Sequence, residues 1–386
     1  MSILSWLRNQ TSNRAPRGRA QHRSAAPRSR PHLEALEDRW MPSFVTVPLS
    51  SVPLPASAVA VGDFNNDNKL DVASIYTDDM GVSYLVVNLG GGNGHFSSSP
   101  SLNAGVFPGS GVTSMAAGNF NKDKYLDLIV TNNPTGAGRG GVKVLLGIGG
   151  GRFKLGDFAW VGGHANAVAV GDFNRDGKLD AVVACSTETD LLLGNGTGGF
   201  TSVQRVGPGA HSVAVADLNH DGILDLVLGS GPGIRIELGD GRGGFGAPQS
   251  FNLPHPGDYA TSIALADLNG DGHLDIVTAT AYGTAPSGVE TDVLLGNGDG
   301  TFRAAQTVGP AAEAVAVADF NHDGKLDTVS VSFGSTYVEL GNGDGTFQSA
   351  IPVGSGGHCV AVGDFNGDGY ADLTIGTKVF LNDKQW

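Results

Sequence analysis

Between residues 44 and 386 the apolar positions fall in short runs broken by Gly, Asn and Asp. Runs such as 167–170, 179–184, 190–193 and 200–206 are bounded by turn residues and carry no 3.6-residue period, so they predict strands and not helices. The pattern repeats. A nine-residue acidic phrase recurs seven times at steps of 45 to 56 residues, and a phrase Leu-Gly-x-Gly-x-Gly-x-Phe, with Asn third at 193–200, 295–302 and 340–347, follows each of the first six. Asn-Gly between apolar runs is a hairpin signal, because both residues accept positive φ. Each unit therefore reads strand, acidic loop, strand, short loop, strand, glycine turn, strand. Four antiparallel strands per unit of this length is the rhythm of a propeller blade.

The strand before each loop carries Ala three residues ahead of it, at Ala60, Ala116, Ala169, Ala214, Ala264, Ala316 and Ala361, flanked by larger apolar residues. A small residue at that place suits an innermost strand, where blades crowd an axis. The seventh unit lacks the glycine turn and a fourth strand, and 44–49 has the pattern of that missing strand. The expectation is an all-β, seven-bladed β-propeller over 44–386, closed by the N-terminal strand pairing with 379–381, which removes an open edge.

The acidic phrase places oxygen side chains at its first, third, fifth and ninth positions. These are Asp63, Asn65, Asp67 and Asp71, then Asn119, Asn121, Asp123 and Asp127. The third and fourth loops carry Asp172, Asn174, Asp176 and Asp180, then Asp217, Asn219, Asp221 and Asp225. The last three carry Asp267, Asn269, Asp271 and Asp275; Asp319, Asn321, Asp323 and Asp327; and Asp364, Asn366, Asp368 and Asp372. All 28 are candidate ligands for Ca²⁺, a hard cation taking six to eight oxygens, with the carbonyl of the seventh position as a further one. An EF-hand would continue to Glu at position 12, where these loops have Ser, Val, Leu, Thr or Ile. Asx residues capping turns are the plainer alternative. The loop at 119–127 is expected to be weakest, since Asn119 removes a charge and Lys122 and Lys124 flank the site.

Charge sharpens this reading. The formal net charge is -14, but residues 1–40 hold eight Arg and three acids, so the remainder carries -19. Such a body repels phosphate and is a poor nucleic-acid binder. Twenty of the 38 acids lie at the candidate ligand positions. Seven bound Ca²⁺ would bring the body to -5. The arm at 1–43 is rich in Arg, Ser and Pro and is expected to be disordered. Its element at 32–43 resembles the Leu-Glu-x-Leu-Glu-Asp-Arg segment near the start of many bacterial surface and secreted proteins, which implies export. No run is apolar enough to span a membrane as a helix, and two cysteines, Cys185 and Cys359, make no disulfide framework.

On these phrases, nearly intact as Val-Ala-Val-Gly-Asp-Phe-Asn-x-Asp-Gly-x-x-Asp at 168–180, the chain resembles the FG-GAP/VCBS repeat family. The resemblance implies a seven-bladed propeller like the integrin α head with calcium loops on one face. It does not imply one activity, since such domains occur in adhesion receptors, lectin-like binders and parts of polysaccharide-degrading proteins.

No catalytic motif is present, and a non-enzymatic role is expected. Six residues before each loop stand Ser57, Thr113, Asn166, His211, Thr261, Glu313 and His358, which repeat geometry places around one mouth of the axis. They read as solvated strand starts or as a ligand mouth using His211, Glu313 and His358. Longer connections at 132–141 and 281–291, with Tyr282, and at 97–111 and 154–166, with Phe107, Phe158 and Trp160, could add aromatic surface. The leading expectation is a secreted or cell-surface, monomeric, calcium-stabilised propeller that recognises an extracellular protein or polysaccharide. The alternative is a carbohydrate-active protein, a lectin or a polysaccharide lyase with Arg139 and the two histidines.

Overall fold

The computed structural model describes residues 44–386 except 50–55, 79, 81, 101, 105–109, 135–137, 256, 283–289, 311 and 333. The arm at 1–43, its export-type element, Phe107 and the side chain of Tyr282 lie outside the described residues. Seven antiparallel sheets follow one another along the chain, and no helix occurs among the described residues. Blade 3 shows the plan, with Ala165–Gly171, Asp180–Cys185, Glu188–Gly194 and Phe200–Pro208 paired in chain order. In blade 1 the outermost strand is split into Phe96–Ser98 and Leu102–Asn103; in blade 2 the innermost is split into Ser110–Gly111 and Met115–Gly118. The innermost strands touch in circular order, the seventh meeting the first. A cavity of about 810 Å³ lies among them, lined by Ala60, Ala116, Ala214, Ala264, Ala316 and Ala361 with their apolar flanks.

The ring closes as the sequence predicts. Phe44–Pro48 is the outermost strand of blade 7 and pairs antiparallel with Lys378–Asn382, Val45 opposite Leu381 and Val47 opposite Val379.

Apolar cores lie between neighbouring blades, and each is keyed by the second residue of an acidic loop. Phe64, Phe120 and Phe173 are 1–2 % exposed. Their rings meet, edge to face, the phenylalanine that ends the glycine turn of the next blade: Phe153 at 5.8 Å, Phe200 at 6.1 Å and Phe245 at 6.0 Å. Phe365 meets Phe96 of blade 1 in the same way, at 5.9 Å. Blade 7 has no such turn. There Trp386 stacks on Phe320 at 6.3 Å and Phe44 meets it edge-on at 6.3 Å, so two residues distant in sequence stand in for the missing phenylalanine.

Candidate metal centres and the opposite face

In every blade the acidic loop joins the first strand to the second, so all seven loops share one face of the ring. In six of the seven the first-position Asp accepts main-chain hydrogen bonds from positions 5 and 6, and Asp267 and Asp364 accept a third from position 4. In the loop at 172–180 these come from Asp176 N–H at 3.1 Å and Gly177 N–H at 2.8 Å. Asn174 Oδ1 accepts from Asp176 N–H at 2.9 Å, and Asp176 Oδ1 from Lys178 N–H at 2.9 Å. Positions 1, 3 and 5 therefore converge on the inside of one tight turn.

The turn needs left-handed backbone at two places. Position 6 was legible, as Gly or Asn68. Position 4 was not: Asn66, Lys122, Arg175, His220 and His322 have φ of 58° to 63°. Those side chains lean toward the next loop around the ring. Asn66 Nδ2 donates to Lys124 O at 2.9 Å, and Arg175 to Gly222 O at 2.5 Å. His220 Nε2 lies 3.2 Å from His273 Nδ1, and the His322 ring lies 4.8 Å from that of Tyr370.

The ninth-position Asp is the base of the loop, and all seven are 0 % exposed. Asp180 Oδ2 accepts from Phe173 N–H at 3.0 Å, and Oδ1 from Gly194 N–H at 2.7 Å. It ties the loop start, the second strand and the end of the third together. A Cβ on Gly194 would lie 2.1 Å from Leu179 O, which explains the glycine there. In blade 7 Asn382 N–H takes this role toward Asp372. Its Nδ2 donates to Phe320 O at 2.8 Å, as the turn glycine of the next blade does elsewhere, Gly198 to Phe120 O at 3.0 Å.

Electrostatics show what these carboxylates lack. Burial pushes Asp327 and Asp372 up to about 7 and Asp71 and Asp275 up to about 6. The charges of the first and fifth positions push Asp71, Asp180, Asp225, Asp275 and Asp372 further up. Two ammonium groups offset this locally, Lys178 on Asp176 at 2.9 Å and Lys384 on Asp368 at 3.2 Å. Among the described residues no three His, Cys, Asp or Glu side chains form a metal cage by themselves. An ion here needs the Asn and main-chain oxygens too, and an all-oxygen set of this charge fits a hard cation. Each carboxylate oxygen that accepts one N–H keeps a second lone pair.

The loop at 119–127 departs from the others. Lys124 is not left-handed. Asn119 turns its Nδ2 onto Asp123 O, leaving its buried Oδ1 without a partner. Lys124 lies 4.9 Å over the Tyr125 ring.

On the opposite face the seven mouth residues act mostly as clasps between blades. Thr113 Oγ1 donates to Ala165 O at 2.8 Å, Asn166 Nδ2 to Ala210 O at 2.8 Å, and Thr261 Oγ1 to Glu313 O at 3.2 Å. Ser57 bonds within its own blade. The His211 ring packs at a tilt against Tyr259 at 4.4 Å, and burial lowers its affinity for a proton. His358 Nδ1 lies 2.7 Å from Glu313 Oε2. Arg139 is not with them; it donates to Val161 O and acts on Asp190 at the blade 2–3 boundary. Cys185 is buried in its strand; Cys359 precedes Val360–Gly363 instead of lying in it, and burial pushes the thiols up to about 12 and 11. The connections expected at 132–141 and 154–166 are shorter than predicted, because strands run to Pro134, from Gly141 and through Arg152–Trp160. Trp160 is thus on an outermost strand, 50 % exposed, with Phe158 edge-on at 4.9 Å.

Among curated proteins none matches the chain in sequence. Solved structures share its fold. One is an Agrocybe aegerita lectin that recognises non-reducing terminal N-acetylglucosamine (20% identity, TM-score 0.53, covering 84% of this chain and 85% of that one). Another is the Pseudomonas aeruginosa periplasmic gluconolactonase PpgL (15%, 0.58, 78% and 86%). A third is BBS1N in complex with ARL6DN (10%, 0.56, 90% and 98%). The profile of the FG-GAP-like repeat matches residues 63–130, 172–228, 217–278 and 319–375, and that of the FG-GAP repeat matches 259–302. With most of the ring covered by these matches and the acidic loops at their start, the chain belongs to the FG-GAP repeat family.

Proposed function

We propose that this protein is a secreted or cell-surface recognition propeller whose loop face is held together by calcium, and that it engages an extracellular protein or polysaccharide without catalysing a reaction. The supporting observation is the sevenfold loop in which two or three carboxylates crowd one turn and repel one another. The Asp and Asn oxygens at positions 1, 3 and 5, the remaining lone pairs of position 9 and the carbonyl of position 7 would hold the ion. Bound calcium supplies the positive charge that the turn lacks. Extracellular modules bind calcium at about 10⁻⁴–10⁻³ M, a range filled only in a calcium-rich compartment. Calorimetric titration is expected to give five to seven sites, with the loop at 119–127 weakest. Fewer than four sites would contradict the reading.

A carbohydrate ligand is the second reading, favoured by the exposed Trp160 braced by Phe158. An indole held in this way offers a flat apolar face to a sugar ring. The fold shared with the N-acetylglucosamine-recognising lectin agrees with it. Glycan-array binding that Trp160→Ala abolishes would support this reading; polysaccharide turnover by the purified protein would contradict the non-enzymatic one.

A further inference from the structure

Blades 3 and 5 carry the same tripeptide, Glu-Thr-Asp, in the same part of their third strands, at 188–190 and 290–292. The register is the same: Asp190 lies opposite Val183 and Arg205, Asp292 opposite Thr278 and Thr307. The two surroundings differ in charge.

Blade 3 is neutralised from within the chain. Arg205 Nε lies 3.6 Å from Glu188 Oε2, and Gly162 N–H donates to Asp190 Oδ2 at 2.7 Å. The positive charges of Arg139 and Arg205 both act on Asp190. In blade 5 Thr307 replaces Arg205. Gly257 stands ten residues before its loop, as Gly162 does, but the next residue is Asp258. The place that receives donors in blade 3 receives a third carboxylate in blade 5.

Asp258 and Asp292 are both 0 % exposed. Among the described residues no side chain hydrogen-bonds either oxygen of Asp258, whose nearest main-chain donor is His255, and Asp292 Oδ2 has no partner. Thr307 Oγ1 lies 2.8 Å from Asp292 Oδ1 and 3.1 Å from Glu290 Oε2. His255 Nδ1 lies 3.0 Å from Glu290 Oε2 and 3.8 Å from Asp258 Oδ2. One imidazole therefore faces three carboxylates, and leaving such groups unpaired costs free energy. Thr307 is exposed and shorter than the arginine it replaces.

We propose that Asp258, Glu290 and Asp292 form a binding site for a guanidinium group carried by a ligand, which takes the place that Arg205 takes in blade 3. These carboxylates come from the first and third strands of blade 5 and are not gathered as a metal cage among the described residues. A planar fork of five donors, able to serve two carboxylates at once, matches that arrangement better than a point charge. The guanidinium can belong to a free small molecule or to an arginine in a polypeptide. The site is independent of the calcium loops.

The test uses the full chain, calcium-saturated, at low ionic strength. The probes are Nα-acetyl-L-arginine amide, its neutral citrulline counterpart, and a Gly-flanked peptide with a single arginine. The arginine probes are expected to bind and the citrulline probe not to. A much tighter peptide than amide would assign the site to polypeptide arginine; equal affinities would assign it to the free group. Thr307→Arg, which rebuilds the blade 3 arrangement, and Asp292→Asn should each weaken binding by about tenfold or more, as expected when a buried charge partner is neutralised or already occupied. Thr307→Gln, long but neutral, should retain binding, which separates charge from bulk. Unchanged affinity in Thr307→Arg, or equal binding of the citrulline probe, would overturn the proposal. So would stabilisation by Ca²⁺ that Asp292→Asn removes while acetyl-arginine amide has no effect, since that outcome assigns the site to a metal ion.

Discussion

Asp180 and Asp176 are four residues apart in one loop, and their roles separate by what each touches. Asp180 is buried and accepts main-chain hydrogen bonds from Phe173 and Gly194. Asp176 is at the surface of the turn. Asp180→Ala leaves two buried N–H groups without acceptors, a cost of about 1–3 kcal/mol each. Its destabilisation should therefore persist in excess chelator. Asp176→Ala should destabilise in calcium and make little difference without it. Denaturant unfolding of both variants, with and without calcium, checks this; equal calcium dependence in the two would remove the structural role from position 9. Glu339 gives a pH test away from the loops. It is 1 % exposed, accepts from Thr328 Oγ1 at 2.8 Å and Ser330 Oγ at 3.2 Å, and burial pushes it up to about 7. A raised carboxyl binds its proton more tightly in the folded state. Its contribution is thus complete below about pH 4.5 and is lost as pH rises through about 7, by roughly 3 kcal/mol in all. Glu339→Gln should match the parent protein near pH 4 and exceed its stability at pH 8. A stability difference between the two that does not change from pH 4 to pH 8 would contradict this. The ninth-position Asp was legible as a recurring oxygen of the repeat, but not as a strand tie, because its partners are main-chain groups. The left-handed fourth position was illegible for a related reason. Lys122, Arg175 and two histidines do not announce positive φ, which the surrounding turn imposes on them.

At the scale of elements, the repeat spacing and the alternation of the first strand made four strands per blade readable. Neighbouring blades are keyed together by one recurring contact, the second loop residue against the phenylalanine of the following glycine turn. That pairing links residues such as Phe120 and Phe200, which no local pattern connects. The closure strand was legible because 44–49 alternates and one blade lacked a partner. The role of Trp386 was not, since an isolated tryptophan carries no register. Removing residues 1–50 should lower the melting temperature of the whole ring, while removing 1–40 should leave it unchanged. Equal melting temperatures for the two truncations would contradict closure by the Phe44–Pro48 strand. Trp386→Ala should cost about 1–3 kcal/mol, less than the 3–5 kcal/mol of a fully buried aromatic, because the indole is only partly covered. A melting temperature within error of the parent would mean that Phe44 alone completes the last core.

At the scale of the whole molecule, charge and shape meet on one face. The ring presents seven acidic turns there, holding 20 of the chain's 38 Asp and Glu side chains. The opposite face is clasped by Thr and Asn contacts between blades. Removing calcium should therefore loosen one face first, with protease cuts in the loops before the strands. Binding to the folded state alone stabilises by about 2.7 kcal/mol per site at a free concentration a hundred times Kd. Several such sites together equal the net stability of an ordinary domain, about 5–15 kcal/mol. The most direct measurement is thermal unfolding in millimolar calcium against excess chelator. A melting temperature strongly lowered by the chelator, with Asp123→Ala affecting that difference less than Asp176→Ala, is the predicted result. A melting temperature that the chelator leaves unchanged would make the seven loops ordinary Asx turns and contradict the account.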